Sequence, residues 1–203
     1  MKLFITGIGT EIGKTVSSAV LVQYFKADYW KPVQSGDLDY TDSHKIQKWT
    51  DDTTCHSERY RLQLAASPHQ SARAEGIQIH LDDFQLPETE NPLIVEGAGG
   101  LMVPLSDNRF MIDLVDTLNL PVALVVRNYL GCINHSLLSI MALQQRNIKL
   151  EYLILNGEFP EDTERVICSF IEEETKIIKI PEMECFNKEH VTAAAKQLTI
   201  SKL

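Results

Sequence analysis

No apolar run in this 203-residue sequence approaches the length of a membrane-spanning helix. The opening stretch, Met1 to Gly7, is too short an apolar run for a secretory signal. Cysteine is sparse and scattered: Cys55, Cys132, Cys168 and Cys185 form no C-x-x-C pair, so neither a zinc site nor a disulfide framework is suggested, and reduced cytoplasm is the expected location. Repeats and low-complexity tracts are lacking too. Positive charge is in short supply, with 19 Lys+Arg against 28 Asp+Glu and a net charge of -9. That balance argues against nucleic acid or an anionic membrane as the main partner. A polyphosphate ligand would have to be drawn by backbone amides and a few well-placed lysines. What is present, 44% hydrophobic and 23% charged residues, is the make-up of a soluble globular protein, and the length fits one compact domain over residues 1–203.

Short apolar runs recur at Lys2–Thr6, Tyr29–Val33, Pro92–Val95, Val122–Val126, Tyr152–Leu155 and Lys176–Ile180. Nearly continuous runs of this length are expected of strands buried on both faces of a parallel sheet. Helical patterns separate them: 14–25, the stretch "TDSHKIQKW" with Thr41 or Asp42 as its cap, 112–118, 132–146, 161–174 and 188–198. The polar segment 51–90 reads as a long connection with a helical piece around Ser67-Pro68. The alternation predicts a three-layer α/β fold, a mostly parallel open sheet with helices on both faces.

Ligands of such sheets gather at the carboxyl ends of the strands. After the first strand comes "TGIGTEIGKT", whose Gly13-Lys14-Thr15 opens a helix as in a phosphate-binding loop, although Gly7 stands one residue too early for the usual spacing. Loop amides and the helix N-terminus would face an anion, Lys14 would reach terminal phosphates and Thr15 would ligate Mg²⁺. Further along, Lys31, Glu96, Arg127, Asn128 and Asn156 end or follow apolar runs. Glu96 precedes Gly97-Ala98-Gly99-Gly100, read as a glycine turn that holds the carboxylate at the sheet edge for a metal or nucleotide contact. Other residues leave two readings open. Lys31 is a solvated strand end or a site lysine, Asp42 a helix cap or an Mg²⁺ ligand. Asn156-Gly157 is a common turn dipeptide. Cys132 reads as a small residue at a helix start, and His135 as structural.

In series, "TGIGTEIGKT", "KPVQSG", "SPH", "VEGAGGLMVPLSD" and "LGCINH" resemble the dethiobiotin synthetases, ATP-dependent ligases of the P-loop NTPase superfamily. That family is similar in carrying one extra residue in its P-loop. The resemblance implies that residues 11–16 (Glu11, Ile12, Gly13, Lys14, Thr15, Val16) wrap the ATP phosphates, with Gly97, Ala98 and Gly99 beside them. It implies Thr15, Asp42 and Glu96 as the Mg²⁺ site, Lys31 as the catalytic lysine, and Thr10 and Ser35 as substrate contacts. Asn156 and the stretch Pro181, Glu182 and Met183 would meet the base. Gly131, Cys132, Ile133 and Asn134 would receive the substrate carboxylate across a homodimer interface. Arg127 stands where the family commonly has a small residue, Gly157 where it often has a polar one, and the short 36–42 connection adds Asp37 and Asp39 as metal candidates.

The implied reaction joins 7,8-diaminononanoate, CO₂ and ATP. Two readings of other kinds compete: a P-loop switch of the partitioning or assembly type, and an inactive relative that only binds. Such switches typically carry a "KGG" element in the loop, where this chain has Gly9-Thr10-Glu11, and an inactive relative has no reason to keep Lys14, Thr15, Lys31, Asp42 and Glu96 together.

Overall fold

A computed structural model describes residues 1–202. Strand β1 (Lys2–Gly7) leads through the glycine loop into α1 (Lys14–Phe25), then β2 (Asp28–Trp30), β3 (Val33–Ser35) and α2 (Asp42–Trp49). The 51–90 segment holds β4 (Cys55–His56), β5 (Tyr60–Leu62), α3 (Pro68–Ala74) and a 3₁₀ turn at Leu81–Asp83. The central β6 (Leu93–Gly100) is followed by the hairpin β7 (Pro104–Ser106) and β8 (Arg109–Phe110), then α4 (Met111–Leu118). The remainder alternates: β9 (Val122–Arg127), α5 (Cys132–Gln145), β10 (Leu150–Asn156), α6 (Glu161–Cys168), β11 (Lys176–Ile180), α7 (Lys188–Gln197) and β12 (Ile200–Ser201).

Eight strands form the main sheet in the order β12-β11-β10-β9-β1-β6-β2-β4, and only the β11–β12 pair is antiparallel. The chain leaves β1 toward β6, β2 and β4, and returns to its other side at β9. That reversal opens the crevice where ligands of doubly wound sheets bind. Side chains of α1, α6 and α7 fill one apolar core against the sheet, and α4 with Tyr60, Leu62 and Phe84 fills another, with α5 contributing to both through Ile140 and Leu143. Burial on both faces is why these strands read as unbroken apolar runs.

Three expectations need correction. The strand expected over Tyr29–Val33 leaves the main sheet after Trp30, and Val33 begins a separate parallel pair with β5. Pro32 has no N–H for a ladder, while its carbonyl accepts from the amides of Arg59 and Tyr60 at 3.0 and 3.1 Å. Glycines 97, 99 and 100 form a bulge within the strand rather than a turn: β6 runs on to Gly100, its register against β1 shifting between Glu96 and Gly100 with Gly99 at φ +65°. Close packing, not turning, explains Gly97, where a Cβ would stand 2.8 Å from the Phe4 ring. The helix expected over 161–174 stops at Cys168, because Glu172–Glu174 would place three like charges at its negative C-terminal end. Of the two caps expected for α2, Thr41 is the one used, its hydroxyl accepting from the His44 amide.

Candidate active site

The glycine loop is built from the strand outward. Ile8 still donates its amide to the Val125 carbonyl at 3.1 Å, so the extra residue is absorbed as a continuation of β1. Ile8 and Ile12 are buried under the loop. Gly7 allows that fold, since a Cβ there would lie 2.5 Å from Ile12 Cδ1. Gly13 adopts φ +89°, and a Cβ would collide with the Asn156 side chain at 2.0 Å. No side chain caps α1, and its first backbone hydrogen bond runs from Ser17 N–H to Gly13 C=O. The amides of the first turn are therefore free for an anion. Lys14 Nζ lies over the loop and donates to the Gly9 carbonyl at 2.8 Å.

Beside the loop, six side chains converge from α1, β2 and the residue after it, α2 and β6. Glu96 on β6 is completely buried; its Oε1 accepts from Thr15 Oγ1 at 2.9 Å and Lys31 Nζ at 3.0 Å, and its Oε2 from the Tyr29 hydroxyl at 3.0 Å. Lys31, where the chain departs from β2, also donates to Asp42 Oδ2 at 2.6 Å, and Lys45 reaches Asp42 Oδ1 at 2.9 Å. The charges are mutually dependent. Burial disfavours the Lys31 ammonium, but Glu96 and Asp42 outweigh it and hold the group well above its ordinary value. Asp42 is likewise held well below the usual carboxylate range: burial opposes this, and Lys31 and Lys45 overcome it. Lys14 goes the other way, lowered to about 8 by burial first and then by the Lys31 charge.

A family model described as an AAA domain matches residues 1–190. The ATP-dependent dethiobiotin synthetase BioD of Cytophaga hutchinsonii is 44% identical over 97% of this chain and 96% of its own length. Its counterpart from Christiangramia forsetii is 48% identical over 81% and 80%, and that of Rhodopseudomonas palustris 39% identical over 96% and 94%. The chain belongs to the ATP-dependent dethiobiotin synthetase family. Among solved structures, chloroplast FtsY from Physcomitrella patens superposes with a TM-score of 0.50 at 14% identity, covering 96% of this chain and 64% of that one. A nucleotide-binding protein in complex with ADP from Archaeoglobus fulgidus gives 0.50 at 11% identity, covering 96% and 86%. At such identities the likeness is one of fold.

The site residues expected from the synthetase resemblance fall into four groups. Lys14, Thr15, Lys31, Asp42 and Glu96 meet as described; Asp37 and Asp39 are exposed and bond to none of them. Thr10 is exposed near Gly99, and Ser35 Oγ is buried without a hydrogen-bond partner. Asn156 donates Nδ2 to the Ile12 carbonyl at 3.0 Å, tying β10 to the loop, with Pro181, Glu182 and Met183 following the neighbouring β11. Gly131 to Asn134 form the start of α5, where Cys132 is buried and Asn134 exposed, and no hydrogen bond among the described residues joins them to the charged cluster. Sequence reasoning missed Tyr29 and Lys45. Lys45 had a signal, one helical turn after Asp42, whereas Tyr29 in an apolar run reads as core.

Proposed function

We propose that this crevice closes the ureido ring of dethiobiotin from 7,8-diaminononanoate, CO₂ and ATP, releasing ADP and phosphate. The observation that carries the reading is the convergence of buried Lys14, Lys31 and Glu96 with half-buried Thr15 and Asp42 beside an uncapped helix start. The free α1 amides and Lys14 bind the phosphates. Thr15, Asp42 and Glu96 suit Mg²⁺: all three offer hard oxygen donors. Among the described residues no group of three His, Cys, Asp or Glu could hold a metal unaided, so phosphate oxygens would have to complete the shell, where the ion would neutralise phosphate charge. One amine of the diamine, kept neutral by its neighbour and by the two lysines, takes up CO₂ as a carbamate and sheds a proton. The carbamate oxygen attacks the γ-phosphorus as the bond to ADP breaks. The second amine then attacks the carbonyl carbon, phosphate leaves, and a proton is lost as the ring closes. Lys31 stabilises the charge that develops on the transferring group, and positioning supplies most of the remainder. The unpartnered Ser35 hydroxyl supports a substrate contact there.

Asn156 and residues 181–183 form the base end of the crevice in this reading. The substrate carboxylate is received at Gly131–Asn134 of a second copy. An exposed apolar stripe on α5, Leu138 and Met141 with Leu130 just before the helix, supports that homodimer. Phosphate release with ATP, Mg²⁺ and bicarbonate, with and without the diamine, tests the function. Dethiobiotin detected by mass only when the diamine is present is the expected result. Turnover indifferent to the diamine, with no product, would replace the ligase with a nucleotide switch.

A further inference from the structure

The carboxyl ends of β9, β10 and β11 lie side by side, Arg127 in register with Asn156 and Asn156 with Ile180. Two residues there, Arg127 and Gly157, are complementary. Arg127 Nη2 donates to Glu182 Oε1 at 2.6 Å. The other carboxylate oxygen lies over Gly157, where a Cβ would stand 2.4 Å from it and where φ is +90°. Gly157 N–H bonds to the Ile180 carbonyl at 2.8 Å, and Met183 packs on the core beyond. One residue thus supplies the room for Glu182 and the other its counter-charge. We infer that Arg127 and Gly157 are positioning residues for Glu182, and that the carboxylate they hold selects nucleotides whose base carries an exocyclic amino group. This rests on the reading that the base sits between Asn156 and residues 181–183. Asn156 spends one Nδ2 hydrogen on the Ile12 carbonyl but keeps a second beside its accepting Oδ1, so alone it tells an amino group from a keto oxygen only weakly. A carboxylate only accepts, and it repels a keto oxygen.

The test compares ATP with ITP, in which a keto oxygen replaces the amino group, by direct binding titration and by kcat/KM. The wild-type chain prefers ATP by about tenfold or more, short of what a fully buried contact gives. Glu182→Gln can donate to the keto oxygen and lowers that ratio at least about fivefold. Arg127→Ala raises KM for ATP by roughly three- to tenfold and lowers the ratio in the same direction, the modest size following from the partial exposure of the ion pair. Arg127→Lys restores most of it. A residue that merely supported the fold would shift both nucleotides alike. An unaltered ratio in Glu182→Gln, or a wild-type ratio near one, overturns the inference. Binding titration reads base preference without turnover, so failure to form dethiobiotin sinks the functional reading separately.

Discussion

At the scale of single residues, Lys31 performs two tasks that can be separated. It is the counter-ion for two carboxylates in a place almost closed to water, and it is the proposed charge stabiliser of the phosphoryl step. Lys31→Gln keeps a donor for Glu96 but removes the charge. Breaking a buried pair from one side costs about 3–5 kcal/mol, less here because Asp42 is partly exposed. The variant should therefore unfold at a lower denaturant concentration, and its kcat should fall on the order of a hundredfold or more while the circular dichroism stays native. Turnover close to wild type in a folded variant would leave Lys31 with the structural task alone. Lys31 and Glu96, as polar groups ending apolar runs, and Lys14 and Thr15, in the Gly-Lys-Thr loop, are legible, whereas Asp42 reads first as a helix cap and gains its site role through the family resemblance. Tyr29 is not legible, because an aromatic in a strand reads as core and only its hydroxyl belongs to the site.

At the scale of elements, the sequence pattern marked the strands and helices that bury a full face and lost those that do not. Strands β3, β4, β5, β7, β8 and β12 are two or three residues long, too short for any periodicity to register. The division of the Tyr29–Val33 run is decided by Pro32 and by distant amides at 59 and 60, a tertiary pairing that local composition does not carry. The edge pair β2–β4 shows what holds such short pieces. Asp28, buried at the start of β2, accepts from Thr89 Oγ1 at 2.6 Å and Asn91 Nδ2 at 3.1 Å, with His56 Nε2 at 3.2 Å on β4. Burial raises its pKa, but those bonds prevail and the value lies below the ordinary 3.8. With a depressed folded value, the native state binds fewer protons than the unfolded chain through this range. The stabilisation is complete above about pH 4 and is lost as pH falls through the folded value. Asp28→Asn should cost about 1–3 kcal/mol at pH 7. The gap between variant and wild type should narrow in urea melts as pH falls below about 4. A gap independent of pH would mean that the charge of Asp28 contributes nothing to holding this edge.

At the scale of the molecule, the proposed homodimer is where one chain is chemically incomplete. The charged cluster has lysines for phosphate and for charge transfer, yet the helix start expected to take the substrate carboxylate, Gly131–Asn134, forms no hydrogen bond with it among the described residues. Helix α5 is apolar on two sides: Ile140 and Leu143 face the sheet, while Leu138 and Met141 are exposed. An isolated chain gains nothing from the second face, whereas a two-fold interface would bury it and bring each α5 start to the other crevice. Leu138→Asp changes an exposed position, so it should alter the stability of a lone chain by only about 0.5 kcal/mol. In a dimer it would bury an unpaired charge. Sedimentation should show dissociation, with kcat/KM for the diamine falling about tenfold or more and nucleotide binding much less affected, because only the carboxylate contact comes from the partner. A variant that stays dimeric places the interface elsewhere. A monomer with an unchanged KM for the diamine removes the second copy from the substrate site.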